Sequence, residues 1–118
     1  MSSDSTTPTT TDPETHRIHH TDLTAFQIDM LAVCARLESS LDNVHGLAIK
    51  EGLEDIHGEE INHGRLYENL DELDAKGLIE KQARKIDERT NSYRVTESGF
   101  RLLEELRDHL TAAVDGGA

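Results

Sequence analysis

The sequence predicts a mainly α domain with one small β-hairpin, and three observations carry that prediction. Apolar residues recur every three or four positions in four separate segments, as amphipathic helices require. Two short extended runs, 78–84 and 92–96, bracket a polar stretch between the third and fourth of these segments. That stretch and its flanks hold Lys76, Lys81, Arg84, Lys85, Arg89 and Arg94, half of the 12 Lys and Arg residues of the chain, against only Glu80, Asp87 and Glu88. Two helices joined by a tight turn, then a cationic hairpin, then a closing helix make an α+β winged helix-turn-helix with a C-terminal dimerisation helix.

Residues 1–20 are rich in Ser, Thr, Asp and Pro and almost free of apolar side chains. They cannot offset the entropy of ordering and are expected to form a disordered tail ahead of a domain over 21–118. His16, His19 and His20 close that tail. No carboxylate or thiol is fixed beside them by local structure, so a solvated tail is favoured over a metal site.

The first helix starts after Leu23, with Thr24 and Gln27 spaced as a capping box. Its stripe, Leu23, Phe26, Met30, Val33, Cys34, Leu37 and Leu41, is wide enough for the core and for a partner chain. The helix is expected to end near Ser39. Cys34 lies on the stripe and reads as a buried, inert thiol; being the single cysteine, it excludes an intrachain disulfide. Asp42 and Asn43 break the pattern.

A second helix is expected over 45–56, with Leu47, Ile49, Leu53 and Ile56 apolar and Gly58 ending it. Gly52 inside it costs ~1 kcal/mol against Ala, so either a close helix contact needs it or the helix is weak. The third helix occupies the stretch Ile61 to Gly77, where Asn62 is the expected N-cap, Gly77 the stop, and Leu66, Leu70 and Leu73 the core stripe. In the hairpin, Tyr93 and Val95 alternate with Ser92, Arg94 and Thr96 as in a half-buried strand. Thr96 or Ser98 caps the last helix, whose stripe Phe100, Leu103, Leu106, Leu110 and Val114 asks for a second surface. Homodimerisation supplies one, with Phe26, Met30, Leu103, Leu106, Leu110 and Val114 as the expected interface.

The third helix and the hairpin carry the functional expectation. His63 and Arg65 sit near a helix N-terminus, where Arg can fork onto guanine O6 and N7, Asn onto adenine, and the helix dipole favours phosphate. His63 and Arg65 are the expected base readers, with Asn62, Tyr67 and Asn69 supporting them or touching backbone. Lys81, Arg84, Lys85, Arg89, Asn91 and Arg94 are the expected wing contacts to double-stranded DNA. The helix face alone is equally compatible with surface decoration paired to Glu59, Glu60 or Glu68. A cationic hairpin in a chain otherwise so poor in cations shifts the balance to nucleic acid.

Net charge opposes that expectation: 24 acidic against 12 basic residues leave −12 with histidines neutral. Phosphate neutralisation by Lys and Arg normally dominates affinity. An acidic surface, however, is what keeps proteins soluble in a salt-saturated cytoplasm, where charge is screened to within ~3 Å or less. Inorganic cations held at the acidic surface are then expected near the DNA. No apolar run approaches the ~18 residues of a membrane span, no Gly-rich phosphate loop, zinc-binding His pair or nucleophile motif occurs, and neither a cofactor nor a metal is expected. His57 and His63 with Glu59 or Glu60 match no strong metal spacing. The expected role is that of a cytoplasmic transcription regulator. The competing role is a winged-helix module whose first and last helices dock another protein while the wing stays idle.

The blocks Gly46-Leu47-Ala48-Ile49-Lys50, Gly64-Arg65-Leu66-Tyr67 leading into Leu70, Leu73 and Gly77-Leu78-Ile79, and Tyr93-Arg94-Val95-Thr96-Glu97-Ser98-Gly99 resemble, in order and spacing, those of PadR-type winged-helix transcription regulators. The resemblance spans residues 23–110. It implies a homodimer with first and last helices in the interface, third helices in successive major grooves, and wings reaching flanking DNA. The acidity resembles haloarchaeal members of that family. The C-terminal part is shorter than the longer helical dimerisation region of many relatives, so one helix beside the first must suffice here.

Overall fold

The computed structural model describes residues 17–82 and 91–116. After a 3₁₀ turn at His20–Asp22 come α1 (Ala25–Glu38), β1 (Val44–His45), α2 (Gly46–His57), α3 (His63–Ala75), β2 (Ile79–Gln82), β3 (Ser92–Val95) and α4 (Glu97–Val114). The three strands form one antiparallel sheet in the order β1-β3-β2. Four helices and a small sheet give the α+β winged-helix architecture that periodicity and turn residues had indicated.

The helix ends follow from local chemistry. Thr24 Oγ1 accepts from Gln27 N–H at 3.1 Å and Gln27 Oε1 accepts from Thr24 N–H at 3.2 Å, closing the capping box of α1. Asn62 Oδ1 accepts from Arg65 N–H at 3.0 Å at the start of α3. At its end Gly77 takes φ 76°, and Leu78 N–H reaches Leu73 C=O at 3.0 Å while Gly77 N–H reaches Asp74 C=O at 3.0 Å. This is the paired hydrogen bonding that lets a left-handed residue stop a helix.

α1 is the central helix, packed by α2, α3, α4 and the sheet. Leu31 joins Met30, Val33 and Cys34 at 0% exposure, and Gln27 is buried as well, so apolar burial extends beyond one stripe. Two expected interface positions are corrected here. Met30 is fully buried and Phe26 is 7% exposed, both inside the chain's own core, because α1 has neighbours on nearly every side. Gly52 answers the question its position raised: a Cβ there would lie 2.6 Å from Val33 Cγ1, so the α1–α2 packing requires a residue without one.

Other expectations shift in detail. In α2 only Ile49 and Leu53 are buried among the apolar stripe, whereas Leu47 and Ile56 stay largely exposed. In β3 Ser92 is buried along with Tyr93 and Val95, because β1 covers it through the His45–Ser92 pairing. β1 itself was missed; a two-residue strand carries no readable period. In α4 the core takes Leu102 and Gly99. The expected stripe is left open: Phe100, Leu110 and Val114 are exposed, and Leu103, Leu106, Leu110 and Val114 line a groove of about 470 Å³.

The tail expected over 1–20 lies outside the described residues up to residue 16. Arg17 to His20 are placed against α4, where Glu105 takes His19 Nδ1 at 3.4 Å and Arg17 at 3.7 Å, and the His20 and His109 rings approach to 5.3 Å.

α3, β2 and α4 meet at one joint. Thr96 Oγ1 accepts from Gly99 N–H at 3.1 Å as the cap of α4 and donates to Gly77 C=O at 2.6 Å, while Thr96 N–H donates to Leu78 C=O at 3.0 Å. A Cβ on Gly99 would stand 2.3 Å from Leu78 O. Gly99→Ala is therefore expected to destabilise the chain by about 1–3 kcal/mol despite Ala's better helix propensity. Thermal unfolding should fall by about 4 °C or more; an unchanged melting temperature would contradict the joint.

Cys34 is buried between α1 and the sheet, and its thiol donates weakly to Glu38 Oε2 at 3.9 Å, the same oxygen that takes Val95 N–H. Burial first, then the Glu38 charge and its hydrogen bond, push the thiol up to about 12. Since the folded value lies above the unfolded one, this contribution is complete below about pH 9 and is lost as pH rises towards 12. Urea midpoints of the parent should therefore fall more between pH 8 and 11 than those of Cys34→Ala, with negligible thiol labelling of the folded chain at pH 8.

Candidate nucleic-acid interface

The turn between α2 and α3 is held by one carboxylate. Glu54 accepts from Lys50 Nζ at 2.6 Å and from Ile61 N–H at 3.0 Å. These two bonds, the Lys50 one first, hold its carboxyl below the usual range. The last turn of α2 thus fixes where α3 begins, and with it the side chains of its first turn.

On α3 the buried stripe Leu66, Leu70 and Leu73 places Gly64, Glu68, Asp71 and Ala75 on the opposite, exposed face. That outermost face is acidic. The cationic candidates flank it: His63 is exposed, its ring 5.9 Å from that of Tyr67, and Arg65 is exposed on the side towards α1. The Arg65 guanidinium lies over the Phe26 ring, 3.8 Å from its centroid. Tyr67 is half-buried beside the start of α2.

Two asparagines are engaged within the chain, and Asn69 does so in the supporting role expected of it, against Arg65. Asn69 has both ends of its amide engaged within the chain, Oδ1 by Gln27 Nε2 at 3.0 Å and Nδ2 by Arg65 C=O at 2.7 Å. Gln27 Nε2 also reaches Glu72 Oε1 at 2.7 Å. Asn69 therefore braces α3 on α1, since an adenine fork would need both of its amide atoms. Asn91 is only 6% exposed, with its C=O 3.2 Å from His45 Nδ1, so its side chain is withdrawn from solvent at the start of β3. Asn62 spends its Oδ1 on the cap.

The hairpin cations that are described are neutralised from within. Lys81 Nζ donates to Asp71 Oδ1 at 3.0 Å, tying β2 to α3, and Arg94 Nε donates to Glu80 Oε1 at 2.8 Å across the ladder. Arg84, Lys85 and Arg89 lie outside the described residues. The site therefore combines an exposed α3 N-terminus, Arg65 held on an aromatic face, and a hairpin whose described cations already have carboxylate partners.

The sequence missed Phe26 as a member of this site, along with the Gln27 brace and the Asp71 anchor. Phe26 and Arg65 belong to different helices, and nothing local in either segment marks them as partners. Among the described residues no group of three or more His, Cys, Asp or Glu is placed to hold a metal, and no helix is long and apolar enough to cross a membrane.

Comparison with known proteins places this geometry. Residues 37–105 match the Transcriptional regulator PadR-like family. RosR of H. salinarum, in a structure grown from NaBr, is 47% identical and superposes with a TM-score of 0.61, the match covering 76% of each chain. Its complex structure designated RosR-S1 matches at 47% identity with a TM-score of 0.62, covering 77% of this chain and 76% of that one. A PadR family regulator from Eggerthella lenta is 25% identical with a TM-score of 0.53, covering 76% and 77% of the two chains. A point mutant of S. aureus MepR, at 19% identity and TM-score 0.60 over 91% of this chain and 71% of that one, shares the fold. No curated protein sequence matches. The resemblance read from the Gly-Arg-Leu-Tyr and Tyr-Arg-Val-Thr-Glu-Ser-Gly blocks thus holds, including its haloarchaeal character, and the family is one of regulators rather than enzymes. The chain belongs to the PadR-like family of transcriptional regulators.

Proposed function

We propose that this chain is a sequence-specific, double-stranded-DNA-binding transcription regulator that acts as a homodimer in a high-salt cytoplasm. The observation that carries the proposal is the exposed first turn of α3, where Asn62 fixes the backbone of Arg65 and Phe26 holds its guanidinium. Arg65 and His63 read base edges. Arg84, Lys85 and Arg89, in the sequence between β2 and β3, with Lys81 and Arg94 after exchange of their carboxylate partners, hold phosphates. The open α4 face of Leu103, Leu106, Leu110 and Val114 seats the second copy, since the chain's own core is complete without it.

Arg65→Ala should weaken binding to a duplex selected by the full chain from a random library by about 5- to 100-fold, and flatten preference at one base pair. Arg89→Ala should weaken all duplexes alike. Both variants should elute as the parent dimer. Unchanged binding by both, or no selection by the parent, would instead favour a protein-docking role for α1 and α4.

The acidic α3 face sets the salt response. Glu68 and Asp71 oppose phosphate unless cations sit between, so complex formation takes up cations there while the duplex releases others. Titrated with KCl, log affinity should fall far less steeply than the usual ~0.9 per neutralised phosphate. An ordinary steep slope would remove the cation bridge from the proposal.

A further inference from the structure

Arg65 is fixed at both ends. Its N–H donates to Asn62 Oδ1 and its C=O accepts from Asn69 Nδ2, so the backbone cannot drift. Its guanidinium rests on the Phe26 ring. Among the described residues no carboxylate pairs with it, unlike Lys81 and Arg94, which are tied to Asp71 and Glu80. A guanidinium held over a ring by its central carbon spends none of its N–H groups on a carboxylate and leaves them available to an acceptor pair.

The ring is itself held. Phe26 is 7% exposed and packs on His57 with centroids 5.8 Å apart at 48°. His57 Nε2 lies 3.2 Å from Asp29 Oδ2, one turn along α1 from Phe26. Platform, backing and anchor thus come from α1 and the last residue of α2, while the side chain they serve comes from α3.

We infer that Phe26 is the positioning residue for Arg65, setting before contact the plane in which the guanidinium fork meets a guanine edge in the major groove. This rests on the reading of Arg65 as a base-contacting residue given above. The gain is preorganisation: a long side chain that would otherwise sample many rotamers is delivered in one.

The test compares the full-length parent, Phe26→Leu, Arg65→Ala and the double variant on the duplex selected by the parent. Phe26→Leu keeps the site apolar but removes the ring face. It should weaken binding about three- to tenfold in the parent background and add nothing in the Arg65→Ala background. In the parent, the Arg65 δ-protons should be shifted upfield by the ring current, and that shift should vanish in Phe26→Leu. Equal losses in both backgrounds, no loss in either, or unshifted δ-protons in the parent would overturn the positioning role. The parent spectrum decides the contact even where Phe26→Leu fails to fold. Unchanged binding by Arg65→Ala would overturn the reading of Arg65 itself, which is a separate result.

Discussion

The structure turns on the joint at Leu78. Its carbonyl takes Thr96 N–H while Gly99 passes close enough that no side-chain carbon fits between, and the Thr96 hydroxyl holds the neighbouring Gly77 carbonyl. The end of α3, the start of the hairpin and the start of α4 are thereby fixed to one another. Third helix, hairpin and open apolar face are three separate segments in the sequence. In the fold they share an origin at a single joint, so their relative directions are set by a handful of backbone contacts.

Around that joint, carboxylates act as internal fasteners. Glu54 sets the α2–α3 turn, Glu38 ties α1 to the sheet, and Asp71 ties α3 to β2. In a chain of net charge −12, part of the acidity is therefore structural rather than merely solubilising. The same economy of cations shapes the candidate interface. Lys81 and Arg94 are already paired, whereas Arg65 is held by an aromatic ring and keeps its fork open. Exposed ion pairs such as Arg94–Glu80 are weak and exchange readily, so their partners can be traded for phosphate at small cost.

The sequence was most legible where a signal is local. Helix caps at Thr24, Asn62 and Thr96, the stop at Gly77, the α3 stripe and the hairpin strands all follow from residue type at fixed spacing. The family resemblance was legible for a related reason: its blocks are the residues of the α2 start, the α3 start and the joint, each a run of neighbours along the chain. β1 was not legible, because two residues have no period and Val44 and His45 become a strand only when β3 lies beside them.

By itself, then, the sequence determined the order of the four helices and the hairpin, the winged-helix class and the unusual charge, since each depends on neighbours along the chain. Tertiary structure decided which of the marked side chains remain available. It buried Phe26 and Met30 in the core, engaged Asn69 and Asn91 within the fold, paired Lys81 and Arg94, and gave Arg65 its platform. Those outcomes depend on groups 10 to 46 residues away along the chain, and no spacing rule within one helix can reach them.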